Sequence, residues 1–234
     1  MLQRVLVDRR ALLVYVALAV CGCHAAPGAV VPEGATPVNR EQVSQWVAST
    51  IPPGPRLHRF KWLFQDEQSS AGGRGSARIA PPDSLRFDVA GPFGTGASSA
   101  VVIGNDPVWV QPPDAIKKLV PNYPLMWAMF GVARMPEDGA KLRGLDHDGV
   151  TAWQYAGPAD TIDYVRSAGP AGRLVAEVHR AGELVGRAET TLDSAGRPVK
   201  SRLTVPGVPA KLDLTFLSTA QANFASDIWV PRKP

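Results

Sequence analysis

The sequence predicts a mainly β (α+β) fold: a curled antiparallel meander forming an unclosed β-barrel, with an N-terminal helix and lid or plug helices. Three observations carry this. Period-two alternation recurs in segment after segment, as in RLHRFKWLFQ, where Phe60, Trp62 and Phe64 point one way and Arg59 and Lys61 the other. Short turn signals separate the segments, among them Asn105-Asp106-Pro107, Asp148-Gly149, Ala181-Gly182 and Ser194-Ala195-Gly196, which leaves no room for crossover helices. About a dozen half-buried strands is more than a flat open sheet sustains, so the sheet curls.

The chain begins with Arg4, Arg9 and Arg10 ahead of the apolar run ALLVYVALAVCG, the pattern of a signal peptide over residues 1–22. That run is too short to span a bilayer, which takes about 20 apolar residues. Val20-Cys21-Gly22-Cys23 ends in a small residue and then a cysteine, so Cys23 is the expected lipidation site and Cys21, preceded by Val20, the poorer one. The other reading is an ordinary secreted protein with Cys23 a bystander. The chain has two cysteines, both at the leader, so the body holds no disulfide and depends on an apolar core. The leader removes three Arg and one Asp, so the formal net charge of +4 falls to +2. Lys and Arg are interspersed with acids, which argues against nucleic acid as a partner.

Residues 23–38 read as a lipidated tether rich in Ala, Pro and Gly, and residues 39–234 as a single domain. Asn39 with Gln42 looks like a capping pair for a helix over REQVSQWVAS, whose Val43, Trp46 and Val47 share a face. Strands follow at 56–65, 73–80, 84–91, 98–105, 106–112, 140–149, 150–157, 160–167, 172–180, 183–192, 197–206 and 210–218. In the link AGPFGTGASS, Phe93 stands between small residues, either at a loop tip or folded back as a core cap. Between 112 and 136 a short helical piece over Asp114–Val120 precedes LMWAMFGVA, apolar on every side. A helix apolar all round is buried on all sides or touches something apolar. The interior or mouth of the curled sheet is the natural place for Leu125, Met126, Trp127, Met129 and Phe130, with Phe60, Trp62, Phe64 and Phe87 as facing wall. For each residue singly, core filling is the plainer role; together, Met and aromatic side chains make a surface that can repack around varied ligands.

Catalytic and metal signatures are missing from the sequence. His24, His58, His147 and His179 have no metal-site spacing, and Asp146-His147-Asp148-Gly149 reads first as a hairpin turn. There is no G-x-S-x-G elbow, the glycines at 91, 94 and 96 have the wrong spacing for a dinucleotide loop, and Ser76 has no helix after it. No enzyme, cofactor or metal is expected.

A lipobox, a helix, a long meander interrupted by apolar helical segments, and a strand–Pro92-Phe93-Gly94–strand loop together resemble the bacterial lipoprotein-localisation family of LolA and LolB over about residues 38–231. The resemblance implies a half-barrel that holds acyl chains, an outer-membrane anchor facing the periplasm, and a monomer that takes cargo from a LolA-like periplasmic carrier. It also implies that Phe93, in place of that family's membrane-inserting leucine, enters the bilayer, worth about 1.5–3 kcal/mol of transfer. The other functional reading is a non-transporting envelope lipoprotein, a sensor or protein-interaction module, and a third is an enzyme acting on envelope polymers.

Overall fold

A computed structural model describes residues 31, 34–91, 96–111, 122–169, 171–207 and 209–230. The leader, Cys23, the Pro92-Phe93-Gly94 tip and the expected Asp114–Val120 helix lie outside the described residues.

The sheet has 13 strands in one open order, β1-β7-β8-β9-β10-β11-β12-β13-β2-β3-β4-β5-β6, with every described pairing antiparallel. In chain order these are β1 (Thr36–Pro37), β2 (Arg56–Gln65), β3 (Ser70–Ala80), β4 (Ser84–Ala90), β5 (Ala97–Ile103), β6 (Asp106–Gln111), β7 (Lys141–His147), β8 (Val150–Ala156), β9 (Asp160–Ser167), β10 (Gly172–Arg180), β11 (Glu183–Leu192), β12 (Pro198–Val205) and β13 (Ala210–Gln221). The two ends, β1 and β6, are not joined, so the barrel is unclosed. The long-range step is β13 onto β2, which sets the strands near residue 60 beside those near residue 215.

Helix α1 (Arg40–Thr50) begins at the expected capping box: Gln42 N donates to Asn39 Oδ1 (2.9 Å) and Asn39 N to Gln42 Oε1 (3.2 Å). Val43 and Val47 are buried, and Trp46 packs on Trp153 and Tyr164 at ring separations of 6.0 and 5.8 Å. Asp148-Gly149 and Ala181-Gly182 turn with both residues at positive φ (51° and 73°; 51° and 83°), the two-residue hairpins their sequence announces.

Several boundaries differ from the sequence reading: β3 begins at Ser70, β13 runs on to Gln221, and two further shifts move a turn and shorten a helix. The turn expected at Asn105-Asp106-Pro107 sits at Gly104-Asn105, with Ile103 paired to Asp106 and Pro107 inside β6. Strand β6 is an edge strand, where a missing N–H costs no ladder bond, and Gly104 supplies the positive φ of 63°. The apolar run 125–133 is helical only as far as Ala128: α2 spans Tyr123–Ala128, and Gly131, at φ 78°, turns the chain out of it.

One apolar cluster fills the concave side. It joins α1, α2 and the chain after it to the inner face of nearly the whole sheet. The outer face is covered in two places. Thr36–Pro37, at the end of the stretch read as tether, pairs with β7, and Val31 and Ala35 pack on Ala152. A 3-10 turn (Ser226–Trp229) lies over β4, where Arg86 donates to Ile228 O (2.6 Å) and sits 5.3 Å from the Trp109 ring. Arg86 is therefore buried although alternation alone puts it in water. Asp88 compensates its charge at 2.9 Å and also accepts from Arg78 (2.6 Å) and Ser99 (2.7 Å).

Candidate functional site

The inner wall is built on β2. Alternation sends His58, Phe60, Trp62 and Phe64 inward, and β3 faces them with Ala77, Gly75, Gly73 and Ala71. These small residues leave space for rings. A Cβ at Gly75 would lie 2.4 Å from the Phe60 ring, and one at Gly73 would lie 2.0 Å from Ala90 O and 3.0 Å from Trp62 Nε1. Trp62 uses that room to donate to Ala90 O at 3.1 Å. Phe60 stacks on Phe87 (5.5 Å), and Phe130 meets both tilted or edge-on at 6.2 and 6.1 Å. Phe216 of β13 completes the group at 5.8 Å from Phe60 and 5.9 Å from Phe130.

The plug is α2 with the chain to Ala133. Leu125, Met126, Trp127, Met129 and Phe130 are each at most 3% exposed. A helix end leaves carbonyls without intrahelical donors, and here the sheet supplies hydroxyls. Thr190 donates to Ala128 O (2.7 Å), and Ser201 Oγ donates to Met129 O. Trp127 Nε1 donates to Gly104 O (2.7 Å), Ala133 N to Thr50 Oγ1 (3.0 Å), and Arg134 N to Tyr164 OH (3.3 Å). The plug therefore hangs on side chains of the sheet and α1 and takes no part in the strand ladder.

Three hollows lie around the wall and the plug. The largest of the three, about 710 Å³, is a saddle between Lys61, Leu63, Lys200, Arg202, Asp213 and Thr215, with Trp62 of the wall also in its lining. A cleft of about 490 Å³ opens where the plug leaves the barrel, bordered by Ile51, Arg56, Ile79, Phe130, Arg166 and Arg197. A third, about 230 Å³, lies between Tyr123, Met135, Tyr155 and Ile162, where burial pushes the Tyr155 phenol far up. In the second, His58 bonds Thr219 Oγ1 through Nδ1 (2.9 Å); burial, helped by the Arg56 charge, pulls its pKa down to about 4, so the ring is neutral.

All nine expected wall and plug residues lie in the one apolar cluster: Phe60, Phe87 and the five plug residues buried, Trp62 and Phe64 half-buried at its margin. Sequence reasoning missed Phe216 and His58. The alternation Leu212, Leu214, Phe216 in β13 was the available signal for the first. Asp146-His147-Asp148-Gly149 is an exposed hairpin, with His147 Nε2 3.1 Å from Asp148. On the outer face Asp163, Glu177 and His179 gather with ligand-type atoms within 4.8 Å, a group hidden from spacing rules because it joins two strands. Its members already have partners: Gln154 donates to Asp163 (3.0 Å), Arg187 to Glu177 (2.7 Å), and His179 lies 3.2 Å from Glu177.

No family profile matches the sequence, and no curated protein matches it either. Among solved structures, a LolA superfamily protein from Nitrosomonas europaea superposes with a TM-score of 0.51 over 83% of this chain and 98% of that one, at 10% identity. The fold is LolA-like. A domain described as outer-membrane lipoprotein-sorting, from Vibrio parahaemolyticus, aligns over 82% of this chain and 97% of its own at 11% identity, with a TM-score of 0.37. A DUF1329 family protein from Desulfovibrio piger aligns over 82% and 96% at 7% identity, with a TM-score of 0.33. In this LolA-like half-barrel the concave side carries the apolar wall and the plug, and no described helix is long and apolar enough to cross a membrane.

Proposed function

We propose that this chain is an envelope lipoprotein that takes acyl chains of lipids or lipoproteins against the aromatic wall of its half-barrel and aids their localisation to the outer membrane. In this reading residues 1–22 are removed, Cys23 carries the lipid, the following stretch tethers the domain from residue 39 onward, and Phe93 enters the bilayer from the Pro92-Phe93-Gly94 tip. The observation that carries it is the roof over the wall. Helix α1, the six-residue α2 and its tail cover the concave face in place of a second sheet, and hydroxyl bonds hold α2 and its tail there. Hydrocarbon can replace that roof without breaking a strand pairing, and the lost apolar packing is regained against the acyl chain.

Native mass spectrometry of gently extracted protein tests this: bound lipid or lipopeptide is the expected result, and ligand-free protein in every preparation overturns it. Depletion should strand other lipoproteins in the inner membrane, and Cys23→Ser should abolish incorporation of a fatty-acid label. Phe93→Glu should weaken co-sedimentation with vesicles while leaving the fold intact.

A second reading rests on the same plug. Its own side chains occupy the apolar interior, as suits a sensor or protein-interaction module that carries nothing. That reading expects lipid-free protein and a partner that survives detergent extraction.

A further inference from the structure

The cleft at the plug's exit has an unbalanced charge. Its lining includes Arg56, Arg166 and Arg197 and no carboxylate. Arg197 is neutralised from outside the lining by Asp193, at 2.7 Å. Arg166 meets only Ser49, with Nη1 3.3 Å from Oγ. The Arg56 guanidinium, half-buried at the start of β2, has no hydrogen-bond or ion-pair partner among the described residues. His58 beside it is neutral and adds no charge. Two guanidinium groups thus face one hollow without a counter-charge. Cations that face one hollow in this way attract an anion.

Beneath the cations the floor is apolar: Ile51, Ile79, Phe130 and Val132. Phe130 belongs at once to this floor and to the aromatic wall. At about 490 Å³ the hollow lies within the usual size of a small-molecule site. An occupant that fits needs an anionic head and a hydrocarbon tail in one molecule.

We propose that this cleft seats the phosphate headgroup of an anionic phospholipid, held by Arg56 and Arg166, with the acyl chain running over Phe130 toward the wall. The inference rests on the acyl-binding reading above and adds the head to the tail. Arginine suits the task because its planar fork pairs two phosphate oxygens at once.

The test is calorimetric titration of the purified protein with myristoyl lysophosphatidylglycerol, myristoyl lysophosphatidylcholine, monomyristoylglycerol and glycerol 3-phosphate, each kept below its micelle concentration. Lysophosphatidylglycerol should bind about tenfold more tightly than the two amphiphiles without net charge, a preference that shrinks as salt is added. The double variant R56Q/R166Q should erase the preference and leave monomyristoylglycerol binding unchanged, and R56K/R166K should retain part of it. Equal binding of all three amphiphiles, unmoved by the variants, overturns the headgroup site and leaves acyl binding standing. Glycerol 3-phosphate binding as tightly as lysophosphatidylglycerol also overturns it, because the site then reads free phosphate. No binding by any amphiphile removes the acyl-binding reading itself.

Discussion

The two halves of strand β2 make opposite use of the same alternation. In the first half His58 and Phe60 are sealed, at 3% and 0% exposed, under Phe130 of the plug. In the second half Trp62 and Phe64 point the same way but stay half-buried. The strand, its pairing with β13 and β3, and its aromatic content are shared, so burial here is decided by how far the plug reaches. A half-barrel of this kind has a mainly apolar inner face that is covered only in part. A covered segment contributes stability, and an uncovered one leaves apolar surface in water.

The sharpest way to break the comparison is to truncate both halves. Phe60→Ala should cost about 3–5 kcal/mol in urea unfolding. Phe64→Ala, half-exposed from the start, should cost less than half of that. Equal losses would mean that the plug does not divide the face. Gly75→Ala comes next: its Cβ would fall 2.4 Å from the Phe60 ring, and the forced shift should cost about 1–3 kcal/mol. Thr190→Val removes one donor from Ala128 O, which keeps Gly131 N (2.9 Å), and about 0.5–1.5 kcal/mol should be lost with faster proteolysis within the plug.

The smallest expected effect is on pH. His58 has its pKa lowered from 6.5 to about 4 in the folded state, by burial first and the Arg56 charge second. The unfolded chain therefore takes up a proton first as pH falls. The stability that His58 contributes is complete above about 6.5, drains away as pH drops toward about 4, and amounts to about 1 kcal/mol between pH 7 and 5.5. In His58→Gln that part of the pH dependence should disappear, as read from urea midpoints across the same range.

Much of this was legible in the residues. The capping box at Asn39 and Gln42, the twelve alternating segments and the two Asp-Gly and Ala-Gly hairpins are local patterns with local causes. So was the aromatic wall, because period two assigns Phe60, Trp62, Phe64 and Phe87 to faces without reference to any partner. Other features were hidden. Arg86 reads as a solvated residue until the chain near Ile228 is laid over it, and that covering is 142 positions away. Arg56 and Arg166 border one cleft although β2 and β9 are not neighbours in the sheet, and the Asp163–Glu177–His179 group spans the neighbouring strands β9 and β10.

The sequence by itself determined the class of the fold and the identity of its apolar face, because hydrogen-bonded strands impose a period that side chains must obey wherever the strand lies. The tertiary structure alone decided that β13 meets β2, that 125–133 is a short helix turned at Gly131 and lodged inside the curl, and that Arg56 and Arg166 border its exit. Those outcomes depend on which distant surfaces exclude water together. Burial is a property of pairs of surfaces, and a linear pattern specifies only one member of each pair.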